Sequence, residues 1–341
     1  MIPEEKKAGV MRALREAFGV TKVEEMRRMT QGLGSDLVFR MVVGGSPFFL
    51  RVMTRIDEIN DPHRQFACMQ AAADAGLTPP VRYANAEDGI SITDFVEAVP
   101  IPVAEALVQL PGMLRHLHAL PPFRKTFNYV TAHKGFIWRF RGAGLVAGDE
   151  IEEVFHWYER VCAIYPCLDA DMVPCHMDLK PENILFDGQR VWLGDWKAAS
   201  VNDRYFDLAV AANFLVTSDA DELLYLERYF GKRPDEYQCA RFCLMRQVVH
   251  LLAATVFLLL GAAGKPIQPS GKVPSFSDFH RRIWAGGVDL ADNDLKIAYG
   301  MVHWKELLHN VRRTRLQEAL GIVSDWYAGS EGIPRLLPLA P

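Results

Sequence analysis

The chain carries no block of basic residues: 38 Lys and Arg and 42 Asp and Glu are interspersed over 341 residues, for a net charge of −4. Without the basic face that marks a nucleic-acid binder, no nucleic-acid partner is expected. No secretory signal opens the sequence, which begins Ile2-Pro3-Glu4-Glu5-Lys6-Lys7 as a polar entry into a helix. The most apolar run, Val248–Ala263, is broken by His250 and falls short of the ~20 residues a bilayer needs, so it reads as a buried helix and no membrane partner is expected. Cysteines in zinc-type pairs are missing too. Cys162, Cys167 and Cys175, with His176 behind the last, lack the close paired spacing of a metal site. A chain this long has little need of disulfides, so the cysteines read as buried thiols and the expected compartment is the cytoplasm. Internal repeats and low-complexity segments are absent, and the Pro- and Leu-rich stretch Ile333–Pro341 is expected to be irregular.

What is present is enough apolar residue, half of the chain, to build a large core, and a length that fits two lobes. Helical periodicity covers Pro3–Phe18, closed by Gly19. Strand patterns follow at Glu25–Gln31, Asp36–Val43 and Pro47–Met53, the last two joined by the hairpin signal Gly44-Gly45-Ser46. A helix over Pro62–Ala75 precedes two more strands, Val81–Ala84 and Gly89–Phe95, and Pro100 and Pro102 mark a boundary. Beyond it the pattern is helical at Val103–Ala119, Gly148–Tyr165, Asp207–Ser218, Ala220–Phe230, Pro234–Ala263 and Leu290–Gly321. One β-hairpin interrupts it, Ile184–Phe186 and Arg190–Leu193 around Asp187-Gly188. The expected class is α+β: residues 1–99 as a small antiparallel-sheet lobe and 100–341 as a helical lobe.

The chemistry concentrates in Cys175-His176-Met177-Asp178-Leu179-Lys180-Pro181-Glu182-Asn183. Phosphoryl transfer to a hydroxyl needs a carboxylate beside the attacking oxygen and hard ligands that hold magnesium against the nucleotide phosphates. Asp178 and Asn183 share one loop, and the hairpin that follows returns Asp195, in Leu193-Gly194-Asp195-Trp196, to the start of its first strand. At these residues the sequence resembles the catalytic loop of the protein-kinase-like fold, and most closely the choline kinase and aminoglycoside phosphotransferase families. The resemblance implies a bilobal small-molecule kinase using ATP (or GTP) and Mg2+. It makes Asp178 the catalytic base or hydroxyl-orienting residue, with Lys180 near the transferred phosphate. Asn183 and Asp195 become the metal ligands, His176 a prop for the loop, and Asp207 of Asp207-Leu208-Ala209 the loop's anchor. His116 and His118 fall in a segment, Leu114–Pro121, that resembles a helix end of the same families, and by themselves read as helix and core histidines. A nucleotide-binding pseudokinase without turnover is the alternative.

The resemblance places Gly32, Gly34 and Ser35 at the phosphates, Arg51 in the position of the strand cation, and the hinge Thr93–Glu97, with Asp94 and Phe95, beside the purine. The helix glutamate that would pair with Arg51 falls near Gln65, which is uncharged. The acceptor is a small-molecule hydroxyl: amino alcohol, aminoglycoside or sugar-like. Trp284, Tyr299, Trp304 and Trp326, with Glu306, are the aromatic and acidic candidates for its wall, and the segment Phe123–Val146, with Lys134, Arg139 and Arg141, is another. Lys197 stands where choline-kinase-like sequences carry Glu, which disfavours a quaternary ammonium if the lysine faces that pocket.

Overall fold

The computed structural model describes residues 2–29, 36–57, 60–123, 129–146, 148–264 and 273–329. Helix α1, Glu4–Phe18, buries Val10, Ala13 and Leu14, and Gly19 ends it at φ 72°, a left-handed turn that glycine adopts without strain. Strands β1 (Glu25–Met29), β2 (Leu37–Val43) and β3 (Ser46–Val52) follow, then α2 (Pro62–Asp74), β4 (Val81–Asn85) and β5 (Ile90–Asp94). The five strands form one antiparallel sheet in the order β1-β2-β3-β5-β4. Period-two alternation sends Leu37, Phe39, Met41, Phe48, Leu50 and Val52 into a core shared with α1, and so turns Arg51 to the opposite face. Asp61 starts α2 by accepting from the His63 N–H, with Pro62 in the first helical turn.

The second lobe begins with α3 (Val103–Leu117), α4 (Tyr129–Arg141) and α5 (Gly148–Ile164), then β6 (Met172–Cys175), the hairpin β7 (Ile184–Phe186) and β8 (Val191–Leu193), and β9 (Ser200–Asp203). Helices α6 (Arg204–Leu215), α7 (Asp219–Phe230), α8 (Glu236–Ala262), α9 (Phe276–Trp284), α10 (Asn293–Val311) and α11 (Thr314–Ala328) complete it. Helix α8 starts from an Asp235–Gln238 capping box and runs 27 residues, longer than its apolar stretch alone implies. By length and composition it suffices to cross a membrane, yet 67% of its most apolar window is buried against the lobe. Close packing on α10 explains this: Gly261 sits on Ile297, and Gly300 on Leu258, where a Cβ at either glycine would meet atoms at 2.7 and 2.6 Å.

Three sequence expectations need correction. The periodic segment Leu290–Gly321 is two helices, because Arg312 and Arg313 leave the helical path and Arg313 takes extended angles (ψ 143°) before α11. The turn lets α11 fold back and bury Leu316, Leu320 and Val323. Helices α4 and α9 lie in segments with no assigned element; Ser275 caps α9 by accepting from the Asp278 N–H. Finally, β6 pairs antiparallel with β9, so the lobe holds a second two-stranded sheet besides the expected hairpin. The six cysteines are thiols.

Candidate active site

Residues 176–183 form a loop between β6 and β7, and its shape is set from below by Asp207 on α6. The two Asp207 carboxylate oxygens accept the His176 N–H at 2.7 Å and the Met177 N–H at 2.8 Å. These bonds hold Met177 at φ 68°, a left-handed conformation that costs a non-glycine residue energy and persists where its surroundings fix it. Asp207 is fully buried, with His118 Nε2 3.3 Å away and His118 Nδ1 2.7 Å from the Tyr229 hydroxyl. Cys175 completes a compact His118–Cys175–Asp207 group. Because both Asp207 oxygens already receive peptide N–H groups, hydrogen bonds account for that group without an ion. His176 is buried, meets the Gly194 carbonyl through Nε2 at 2.8 Å and lies edge-on to Trp196. His116 is exposed.

Above this floor stand the chemical groups. Asp178 Oδ2 receives Lys180 Nζ at 2.8 Å and Asn183 Nδ2 at 2.9 Å. Asn183 Nδ2 also donates to the Asp178 carbonyl at 2.7 Å, which leaves the amide oxygen Oδ1 as the group able to ligate a cation. The Gly194 N–H donates to the Asn183 carbonyl at 2.8 Å, so the hairpin closes with Asp195 next to Asn183. Carboxylate and amide oxygens at one place make a hard-oxygen pair, the donor chemistry magnesium takes. Burial raises the Asp195 pKa, but the Arg51 and Lys197 charges outweigh it and hold the carboxyl well below the ordinary range. Burial lowers the Lys180 pKa, and Asp178 more than reverses this, so the ammonium is held charged.

Arg51 NH1 lies 2.7 Å from Asp195 Oδ1 and 3.6 Å from Asp36 Oδ2. Lys197 Nζ joins the same group, 3.8 Å from Asp36 and 3.9 Å from Asp195. The counter-charges of Arg51 are therefore Asp36 and Asp195. Gln65, in the helix position where a glutamate was sought, is buried and its Nε2 has no partner. Asp36 is the residue the sequence left unassigned. Its signal was available: an acid directly before a strand whose neighbour carries the cation. Lys197 sits on the Asp36–Asp195 side of the site, where two carboxylates offset its charge.

At the hinge, the Asp94 N–H donates to the Pro80 carbonyl at 3.0 Å and the Phe95 N–H to the Pro47 carbonyl at 3.3 Å. The Asp94 side chain pairs with Arg82, and Phe95 lies under the Arg40 guanidinium. Among the described residues, the next N–H groups, at Val96 and Glu97, have no backbone partner. Gly32, Gly34 and Ser35 lie outside the described residues. Of the aromatic candidates, Trp304 is fully buried with Nε1 on Glu150, Trp326 stacks on Tyr237 at the edge of the lobe, and Trp284 Nε1 donates to the Ile101 carbonyl. Tyr299 is near the loop: burial raises its pKa, and the Glu182 and Asp178 charges add to the effect. Glu306 accepts from Asn310 at 3.3 Å. In α4, Ile137 and Phe140 are buried, Arg139 is exposed, and Arg141 pairs with Glu152 and Glu159 of α5. The side chain of Lys134 lies outside the described residues.

A family model described as "Phosphotransferase enzyme family" matches residues 25–243. The chain belongs to that family. Protein LicA of Haemophilus influenzae is 26% identical over 231 residues, covering 59% of this chain and 65% of that protein, just under two thirds of its length. For LicA of a second strain the share is 82%. Among solved structures, a choline/ethanolamine kinase family protein from Mesorhizobium loti superimposes with a TM-score of 0.66 at 17% identity, over 94% of this chain and 99% of that one. LicA in complex with AMP gives 0.52 at 15% identity, over 82% and 99%. This phosphotransferase thus shares the bilobal, protein-kinase-like fold, and its loop from His176 to Asn183 lies inside the matched segment.

Proposed function

We propose that this phosphotransferase moves the γ-phosphoryl group of ATP (or GTP) to a hydroxyl of a small molecule, with residues 1–99 holding the nucleotide and 100–341 the acceptor. The observation that carries the reading is the Asp178–Lys180–Asn183 cluster closed onto Asp195 through the Gly194–Asn183 bond. Asp178 orients the acceptor hydroxyl and takes up its proton as the phosphoryl group leaves the nucleotide. Asn183 Oδ1 and Asp195 are the oxygens that would hold magnesium, which when bound neutralises phosphate charge. Lys180 adds a fixed positive charge beside the transferred group. Arg51 and Lys197 both contact Asp195 and Asp36; with Asp195 among the residues that would hold a metal, Asp36 would keep both cations in place to meet the nucleotide phosphates. The hinge at Asp94 and Phe95 meets the purine, with the N–H groups of Val96 and Glu97 open to it. The likeness to a LicA structure in complex with AMP supports nucleotide use.

The acceptor class remains that of an amino alcohol, an aminoglycoside or a sugar-like hydroxyl. Lys197 lies 3.8 Å from Asp36 and 3.9 Å from Asp195, and these carboxylates offset its charge toward a cationic acceptor such as choline. Transfer of label from γ-labelled ATP or GTP to a panel of choline, ethanolamine, aminoglycosides, homoserine, thiamine and simple sugars tests the reading. Labelled product from one class, dependent on magnesium, supports it. Tight nucleotide binding with neither transfer nor slow hydrolysis favours the pseudokinase.

A further inference from the structure

In the helical lobe a cavity of about 580 Å3 opens among residues of helices α6 to α11. Small-molecule sites commonly have about 300–1,000 Å3. Among the described residues, none of the catalytic loop lines it. Two buried groups on its wall have an atom without a partner, and a half-buried arginine lies between acids and other arginines. Asn213, 5% exposed, accepts from Arg246 Nε at 3.3 Å through Oδ1, and its Nδ2 is unpartnered. His280, 3% exposed, donates from Nδ1 to the Phe276 carbonyl at 2.9 Å, so its unpartnered Nε2 is an acceptor. Arg246 has Glu222 at 3.6 Å, but Arg315 holds that carboxylate more closely.

The charge balance at Arg246 is unlike that at Arg51 and Arg241. At Arg51 and Arg241 burial is outweighed by nearby acids, and the guanidinium pKa is raised. At Arg246 burial prevails over Glu222 and the pKa is lowered. A half-buried guanidinium that shares its counter-ion with Arg315, next to an amide donor without a partner, offers a seat for a planar anion. The wall carries four arginines, Arg246, Arg281, Arg313 and Arg315, against the four carboxylates Asp219, Glu222, Asp278 and Glu306, so one added negative charge unbalances it less than the two of phosphate. We infer that this cavity binds a small molecule through its carboxylate, seated between Arg246 and Asn213 Nδ2, with His280 Nε2 accepting from a hydroxyl or ammonium of the same molecule. The inference concerns binding alone, so it stands or falls separately from phosphoryl transfer.

Trifluoroacetate is the minimal probe, titrated into the full chain and followed by fluorine NMR. Saturable binding is expected, weakened about tenfold, or about 1.4 kcal/mol, in Arg246→Gln and in Asn213→Ala, because each loses a hydrogen bond to the carboxylate. ADP binding reports that each variant is folded, and Asn213→Ala keeps the charge pattern intact should Arg246→Gln not fold. No saturable binding to the wild type, or equal binding in both variants, overturns the inference. So does tighter binding of inorganic phosphate than of trifluoroacetate. Homoserine and propanolamine, alike except for the carboxylate, then distinguish the sources. Homoserine phosphorylated with a KM raised in Arg246→Gln makes the cavity a seat for the acceptor's tail. Homoserine bound but not phosphorylated makes it a site for a separate ligand, and propanolamine binding as tightly as homoserine overturns the role of the carboxylate.

Discussion

Replacing Asp207 with Asn tests whether the catalytic loop is held from below. In the wild type, two carboxylate oxygens accept two peptide N–H groups at 2.7 and 2.8 Å in a fully buried setting. Asparagine turns one of those oxygens into a donor, so one N–H loses its acceptor and faces an N–H of like polarity. A bond to a charged acceptor contributes about 1.5–3 kcal/mol, and a stranded buried donor costs about 1–3 kcal/mol. The left-handed Met177 also loses the bond that fixes it. Together the expected loss is about 3 kcal/mol, a large part of a typical stability of about 5–15 kcal/mol. Urea unfolding followed by tryptophan fluorescence measures it, with activity read in parallel below the unfolding transition. Turnover falls with stability, because Asp178 follows directly on Met177. A loss under about 1 kcal/mol together with unchanged turnover would refute the anchoring argument.

Three further outcomes follow from the same geometry. Asp36→Asn leaves Arg51 and Lys197 with Asp195 alone, so the magnesium concentration for half-maximal rate rises about tenfold; an unchanged magnesium requirement removes Asp36 from the site. Lys180→Met lowers kcat about 100-fold with little change in nucleotide KM, as expected for charge offered to the transition state; a rise in KM at constant kcat contradicts this. Burial lowers the His280 pKa from 6.5 to about 4, so the stability gained by keeping it neutral is complete above pH 6.5 and is lost as the pH falls toward 4. At pH 5 that loss is about 2 kcal/mol. Burial shifts His250 and His303 in the same direction. Urea midpoints at pH 7.5 and 5 should separate by less in His280→Phe than in the wild type; equal separations refute the assignment.

The sheet lobe was legible because period-two alternation and the Gly44-Gly45 turn each have one reading, and the β2–β3 register follows from them. The loop from His176 to Asn183 was legible because its spacing survives in a single short segment. Long-range pairing was not. That Arg51 meets Asp36 and Asp195, 144 residues from Asp195 in sequence, depends on how the two lobes close, and no local pattern records it. Nor did aromatic content reveal the acceptor side: Trp304 and Trp326 have the residue type of a binding wall but spend it on Glu150 and Tyr237. The break at Arg312 and Arg313 was readable in hindsight as a charged interruption of an apolar period. The Asn213–Arg246–His280 cavity was not, since it joins residues of three helices by tertiary packing alone.

The central claim is that Asp178 acts on the acceptor while Asn183 and Asp195 serve the nucleotide. Asp178→Ala, assayed side by side for magnesium-dependent ADP binding and for phosphoryl transfer to the accepted substrate, separates the two roles. ADP binding is expected within about twofold of wild type, and transfer reduced by about 1,000-fold or more. Transfer near the wild-type rate would contradict it.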